Sequence, residues 1–324
     1  MIAADRDTAF AEYRGFLVRT AFAGRGSAAL AGLRFAVDCS NGMASLLAHE
    51  LFPGAVIIND TLDGTFPAHS PNPLKADARE QLASIVRERG LDCGVLFDGD
   101  ADRAMFVDER GEFVQPDYLI PIVARACRAN EKWKMENEKL RRIVLHDVRT
   151  SRGAVETLGE DGFEPVMVPV GHAFAKPKMR ELDALCGGEL AGHYYFGDFF
   201  GCDSGALAAL RILGEFAQWR AADGGKGTFS EMMRPIVSRY ANSGELNFKV
   251  EDKDAAIARA LEAARRFGDA RVSRIDGHRL DFDEGWLSIR KSNTEPYLRL
   301  LVEARTPATL EDWTARLSAA IDLP

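Results

Sequence analysis

The sequence predicts an α/β protein: two consecutive α/β mixed-sheet domains followed by a small α+β C-terminal domain. Three observations carry this. Short apolar runs alternate with helix-period segments in β-α-β-α-β order over residues 31–112. The alternation restarts and continues over residues 113–238. From residue 239 the pattern becomes strand, helix, two strands and a closing helix, ending at 324.

Residues 7–23 read as a helix with apolar Phe10, Tyr13, Leu17 and Val18 and no evident partner. Residues 33–37 form a strand that runs into the Asp38-Cys-Ser-Asn-Gly42 turn, followed by an Ala/Leu-rich helix to Leu51. A short strand covers 55–58, a helix 77–89 stops at Gly90, and strands cover 91–97 and 104–107. The second domain reads as helix 118–129, strand 143–147, a helix from Arg152, strand 165–168, helix 178–185 and helix 205–219, closed by a glycine-rich loop at 223–227. The charged stretch 130–142 reads as a solvated helix or excursion. The last domain has strand 244–250, helix 254–267, strands 285–289 and 298–303, and helix 308–320.

Composition limits the function. With 324 residues there is ample core for several domains. A net charge of −8 argues against a nucleic-acid binder that works by broad phosphate neutralisation. The five cysteines are scattered, odd in number and never in a C-x-x-C pair, which fits reduced thiols and a cytoplasmic protein. No apolar run is long enough to span a bilayer, and Asp5, Arg6, Asp7, Glu12 and Arg14 interrupt any signal-peptide core.

The most specific stretch is Phe97-Asp-Gly-Asp-Ala-Asp-Arg103. Asp98, Asp100 and Asp102 alternate with small residues, and three carboxylates this close repel unless a cation sits among them. A hard divalent ion such as Mg²⁺ takes such oxygen ligands. Arg103, always charged, suits a phosphate that also touches the metal. An EF-hand loop is the first alternative, and Glu109 does fall at its twelfth position. Arg103 stands where that loop needs glycine, and the flanks read as strands rather than helices. A solvated acidic turn is the second; it explains the charge but not the spacing or the arginine.

Two further stretches point to a sugar phosphate. Arg290-Lys-Ser292-Asn293-Thr294-Glu-Pro296, placed in the loop between the last two strands, gathers an arginine, two hydroxyls and an amide into a donor-rich arc. An ordinary polar hairpin would use the same Asn and Pro. Gly187-Gly-Glu189-Leu-Ala-Gly192-His193 puts a carboxylate and an imidazole on a glycine-rich loop, where glycine admits close backbone approach. A plain turn is the alternative there. Gly171-His172 is a weaker signal of the same kind, and 63–73 is rigid proline-containing turn chemistry.

Together, and in this order, these motifs resemble the α-D-phosphohexomutase superfamily, in its phosphomannomutase/phosphoglucomutase branch, over residues 31–324. Val37-Asp-Cys-Ser-Asn-Gly42, Asp63-Gly-Thr-Phe-Pro67, Val170-Gly-His-Ala-Phe174 and Asp203-Ser-Gly205 support it. The resemblance implies a four-domain enzyme in which a phosphoserine of the first domain phosphorylates a hexose 1-phosphate. The hexose 1,6-bisphosphate then turns over and returns its other phosphate. It further implies Mg²⁺ on Asp98, Asp100 and Asp102, and Arg103 steadying the transferred group. Glu189 would grip sugar hydroxyls. Arg290, Ser292, Asn293 and Thr294 would clamp the other phosphate, and His172 and His193 would transfer protons.

The departures are specific. Residues 1–30 match the helix that links the family's first two domains, and no phosphoserine loop precedes them; a separate serine-bearing domain is the implied partner. Ser70, in His69-Ser-Pro-Asn-Pro73, belongs to the second-domain motif and is the wrong serine. Ala191, Gly197 and Pro169 replace common polar residues; one lost substrate hydrogen bond costs about 1 kcal/mol. Three functions are therefore open: a phosphohexomutase completed by another domain, a non-catalytic sugar-phosphate binder, or a metal-dependent phosphatase with Asp98 as nucleophile. Leu190 stands where a glutamine would hint at glucosamine, and mannose is not separated from glucose.

Overall fold

The structure, a computed structural model, describes residues 5–22, 29–129, 142–292 and 295–322. Helix α1 (Arg6–Phe22) buries Leu17 and Phe22 against α7 (Gly205–Ala222), which supplies the partner its sequence leaves open.

The first sheet comprises β1 (Phe35–Asp38), β2 (Val56–Ile58), β3 (Cys93–Phe97), β4 (Ala104–Asp108) and β5 (Phe113–Val114), in the order β2-β1-β3-β4-β5. β1 lies parallel to β2 and β3, and β4 and β5 return antiparallel. β1 and β3 are buried throughout, so they read as continuous apolar runs rather than alternations. Helix α3 (Ala76–Arg89) covers one face with Ala78, Leu82 and Val86 and stops where Gly90 turns left-handed, at φ 58°. The helix expected before Leu51 is a 3-10 turn (Met43–Leu46) and one turn of α2 (Ala48–Leu51). The Met43 N–H donates to Gly99 O and ties this start to the metal loop rather than to a longer helix.

The second sheet comprises β6 (Ile143–Asp147), β7 (Glu164–Val168), β8 (Cys186–Gly188), β9 (Tyr194–Phe196) and β10 (Cys202–Asp203). Its order, β7-β6-β8-β9-β10, and its pair orientations repeat those of the first sheet. The remaining helices here are α4 (Ile120–Ala129), α5 (Arg152–Glu160) capped by Ser151, α6 (His172–Glu181), and α8 (Phe229–Val237) with a Thr228/Glu231 capping box. Helix α6 starts six residues before the expected 178, so Pro177 lies inside it and removes one N–H from the ladder. Gly187 and Gly188, expected in a loop, are strand residues; a Cβ on either would stand within 2.8 Å of Leu145 or Ile120. The expected excursion at 130–142 falls almost wholly outside the described residues.

One core serves both sheets. Phe35, Val95 and Phe106 of the first join Val144, Tyr194 and Phe196 of the second, with Leu207, Leu210 and Phe216 of α7 in the same cluster. The C-terminal sheet is antiparallel throughout. It comprises β11 (Ala241–Phe248), β12 (Arg271–Ser273), β13 (His278–Asp281), β14 (Gly285–Lys291) and β15 (Leu298–Ala304), in the order β11-β15-β14-β13-β12. With α9 (Lys253–Ala264) and α10 (Pro307–Ile321) it encloses a separate core around Leu287, Leu300, Trp313 and Leu317. No helix among the described residues is long and apolar enough to cross a membrane.

Candidate functional site

Four carboxylates stand at the C-terminal ends of parallel strands, where open α/β sheets place ligands. Asp38 ends β1, Asp98 follows β3, Asp147 ends β6 and Glu189 follows β8, each at most 2% exposed. Water does not solvate them, so their partners define the site.

The loop from Asp98 to Arg103 joins β3 to β4. Asp98, Asp100 and Asp102 each bring a carboxylate oxygen within 4.8 Å of the others. Ala101 takes φ 62°, a sparsely populated conformation for a residue with a side chain. The start of α7 holds the loop from below; a Cβ on Gly205 would meet Arg103 O at 2.7 Å and Ala101 O at 2.8 Å, so only glycine lets the backbones pass. Burial pushes the Asp98 pKa up, and Arg103, whose Nε donates to Asp98 at 2.6 Å, offsets this only in part. Asp100 is also raised, by burial and then by Asp98 beside it. A divalent cation among the three oxygens removes the repulsion, so the donor set fits Mg²⁺.

Directly beside this loop runs the 189–193 turn. Arg103 and His193 form an antiparallel bridge, and the Ala104 N–H donates to Gly192 O at 3.2 Å. His193 Nδ1 lies 3.1 Å from Asp203 and 3.6 Å from Asp102. Burial pushes the His193 pKa down, but the bond to Asp203 and the charges of Asp102 and Glu189 outweigh it, leaving it above its ordinary value. Asp203 is buried too, yet His193 and Lys176, the latter at 2.8 Å, hold its pKa down at about 2. His172 opens α6, its ring 6.3 Å from that of His193.

Glu189 accepts a 2.5 Å hydrogen bond from Tyr195 Oη and lies 3.9 Å from Arg149. Burial, then the neighbouring Asp147, raises its pKa. Arg149 is held by Asp147 at 2.6 Å and by Glu245 at 3.2 Å. Sequence reasoning missed Asp147 and Arg149. The available signal was an acid at the end of an apolar run, the pattern that marks Asp98.

The chain matches the phosphoglucomutase/phosphomannomutase α/β/α domain II over residues 18–111, α/β/α domain III over 115–240 and the C-terminal domain over 245–320. It belongs to the phosphoglucomutase/phosphomannomutase family. A phosphohexose mutase of Xanthomonas campestris is 37% identical over 284 residues, which is 86% of this chain and 60% of that protein. A phosphomannomutase of Methanocaldococcus jannaschii is 34% identical over 283 residues, 86% of this chain and 59% of that protein. The crystal structure of a phosphoglucomutase/phosphomannomutase family protein from Burkholderia thailandensis superposes with a TM-score of 0.79 at 27% identity, over 97% of this chain and 64% of that one. The chain thus spans about three fifths of the length of the curated relatives it matches.

The domain II match holds Asp98, Asp100, Asp102 and Arg103, the domain III match holds His172, Glu189 and His193, and the C-terminal match holds Arg290. Arg290 is not in the loop where the sequence reading put it. It lies within β14, 3% exposed, because its strand pairing with Arg299 extends past Ile289. Its guanidinium meets Asp276 at 3.2 Å. Ser292 starts the connecting hairpin, donating its N–H to Tyr297 O at 2.9 Å and accepting from the Glu295 N–H at 3.2 Å. Asn293 and Thr294 lie outside the described residues. The 63–73 segment leans on the metal loop; Phe66 and Pro71 face Gly99, and His69 lies 3.1 Å from Asp38. Ser70 Oγ there accepts the Asn72 N–H at 3.3 Å.

Proposed function

We propose that the chain forms domains II to IV of a phosphohexomutase that interconverts hexose 1-phosphate and hexose 6-phosphate, of mannose or glucose, through a bisphosphate. A serine-bearing domain outside these residues carries the phosphoryl group between the two halves of the cycle. The supporting observation is the backbone bridge between Arg103 and His193, which puts the metal loop and the sugar turn on one surface. Domain limits of 31–112, 113–238 and 239–324, with residues 1–30 as the linking helix, and a cytoplasmic location belong to the same reading.

The roles follow from the chemistry of the groups. Asp98, Asp100 and Asp102 would hold Mg²⁺, which would supply charge neutralisation for the phosphate in transfer. Arg103 adds fixed positive charge at the same place. Glu189 accepts hydrogen bonds from sugar hydroxyls and so sets the sugar's orientation. His193, backed by Asp203, takes the proton of the attacking hydroxyl and returns it to the leaving oxygen, with His172 beside it. Arg290, Ser292, Asn293 and Thr294 hold the phosphate that is not reacting. The phosphatase reading loses support, because the relatives that the chain matches are named as mutases.

The test supplies the purified chain with the part of the Xanthomonas relative that this chain does not cover. Conversion of mannose 1-phosphate to the 6-phosphate is expected in the mixture and in neither part alone, and it falls at least 100-fold in Asp100→Ala. No conversion from two folded partners, with glucose 1,6-bisphosphate still bound, would instead make the chain a non-catalytic sugar-phosphate binder. Activity of the chain alone, abolished by Ser70→Ala, would make Ser70 the phosphoryl carrier.

A further inference from the structure

Domain IV and the His172 loop meet at one oxygen atom. Asp276 lies in the turn between β12 and β13. Its Oδ2 accepts Arg290 Nε at 3.2 Å, lies 3.2 Å from Arg290 Nη2, and accepts the backbone N–H of Val170 at 3.1 Å. Val170 is two residues before His172, with Gly171 between them as the N-cap of α6. The turn is pressed against the arginine's own strand. A Cβ on Gly277 would stand 2.6 Å from Arg290 Cβ and 2.6 Å from Ile289 O, and Gly277 takes φ 71°. The backbone that carries Asp276 is therefore fixed close to Arg290.

We infer that Asp276 is a positioning residue that couples the phosphate arc of domain IV to the histidine-bearing loop of domain III. This rests on the phosphohexomutase reading, in which Arg290 holds a phosphate. A carboxylate facing a phosphate-binding arginine presents two opposed effects. Its charge repels the incoming phosphate and competes for the guanidinium. Its hydrogen bonds fix the guanidinium's plane, so that less orientation is lost when phosphate arrives. Because the same oxygen holds Val170, the orientation of Arg290 and the placement of His172 depend on each other. A phosphate that fixes Arg290 thereby fixes the loop leading into α6.

The experiment uses the full chain with Mg²⁺ and glucose 1,6-bisphosphate, read by calorimetry and by hydrogen exchange of residues 168–175. Loss of charge-assisted hydrogen bonds in Asp276→Ala is expected to weaken binding about tenfold. Asp276→Asn keeps one oxygen acceptor without the charge, and it is expected to weaken binding about threefold. It also serves where the alanine variant does not fold. Saturating bisphosphate is expected to slow exchange over 168–175 in the native chain and to leave it unchanged in Asp276→Ala. Equal or tighter binding by both variants would show the carboxylate to be a mere competitor of phosphate and would overturn the inference. Ligand protection that persists in Asp276→Ala would overturn it too, since the coupling would then run elsewhere. A native chain that binds no bisphosphate would remove the phosphohexomutase reading and this inference with it.

Discussion

The first two sheets and the last one are joined to each other by different kinds of contact. Between domains II and III, Phe106 stacks on Phe229 at 5.6 Å, Phe229 meets Phe216 edge-on at 5.1 Å, and α7 buries its apolar residues in a cluster common to both sheets. Between domains III and IV the contacts are mostly polar. Arg279 donates to Val148 O at 2.7 Å and to Thr150 O at 3.2 Å, and Arg149 reaches Glu245 at 3.2 Å. Glu303 accepts the Arg152 N–H at 2.8 Å across the junction, and within domain IV it accepts Trp286 Nε1 at 2.7 Å and Asn242 Nδ2 at 3.1 Å. The apolar part is a small cluster of Leu190, Trp286 and Leu301. Water replaces a lost hydrogen bond but not a lost apolar contact. The 98–103 loop, His172, His193 and Glu189 thus lie in the two domains that share an apolar core, while domain IV, with Arg290, is held mainly by polar contacts, which cost less to open.

The largest expected effect comes from breaking the apolar junction. Phe216→Ala removes a fully buried ring and is expected to cost about 3–5 kcal/mol. Denaturant unfolding is expected to show both sheets melting in one transition; separate transitions would deny the shared core. Breaking the polar junction costs less and acts locally. Glu303→Ala strands the buried Trp286 donor and two part-buried ones and is expected to cost about 2–3 kcal/mol. Limited proteolysis is expected to cut first around residues 238–241, releasing an intact pair of sheets.

A pH dependence sits within domain III, close to the polar junction. Asp117 accepts the Ser151 N–H, and burial, aided by Glu303 and Asp147, raises its pKa from 3.8 to about 7. Its raised folded pKa means that the folded chain holds this proton more tightly than the unfolded chain. The stability so gained is complete below pH 4 and is lost as pH rises through 7. Asp117→Asn is expected to flatten thermal stability between pH 5 and 8; an unchanged slope would place the titration elsewhere. The smallest effect belongs to the surface. Arg239 pairs with Glu160, whose side chain is 60% exposed, and Glu160→Ala is expected to shift stability by less than about 1 kcal/mol.

The difference between the junctions also explains what the sequence disclosed. The buried strands 93–97 and 143–147 and the amphipathic helices were legible because each concentrates apolar residues at a recognisable period. Strands β12 and β13 were not, since Arg271, Arg274, His278 and Arg279 hide the alternation at a sheet edge. Asp98, Asp100 and Asp102 were legible because all three ligands sit within five consecutive positions. Asp147 and Arg149 were not, because they meet Glu189 only when β6 and β8 pair, about forty residues apart. Asp276 and Arg290 likewise become partners only through the β13–β14 pairing and the turn at Gly277. Local motifs announce themselves, while contacts made by strand register do not.

The central claim is that the 98–103 loop of domain II and the arginine arc of domain IV grip one phosphorylated sugar. Calorimetric titration of the full chain with glucose 1,6-bisphosphate, in Mg²⁺ and then in chelator, tests it most directly. The account predicts one site per chain, weakened at least tenfold both by the chelator and by Arg290→Ala. Binding that ignores both the metal and Arg290 would contradict it.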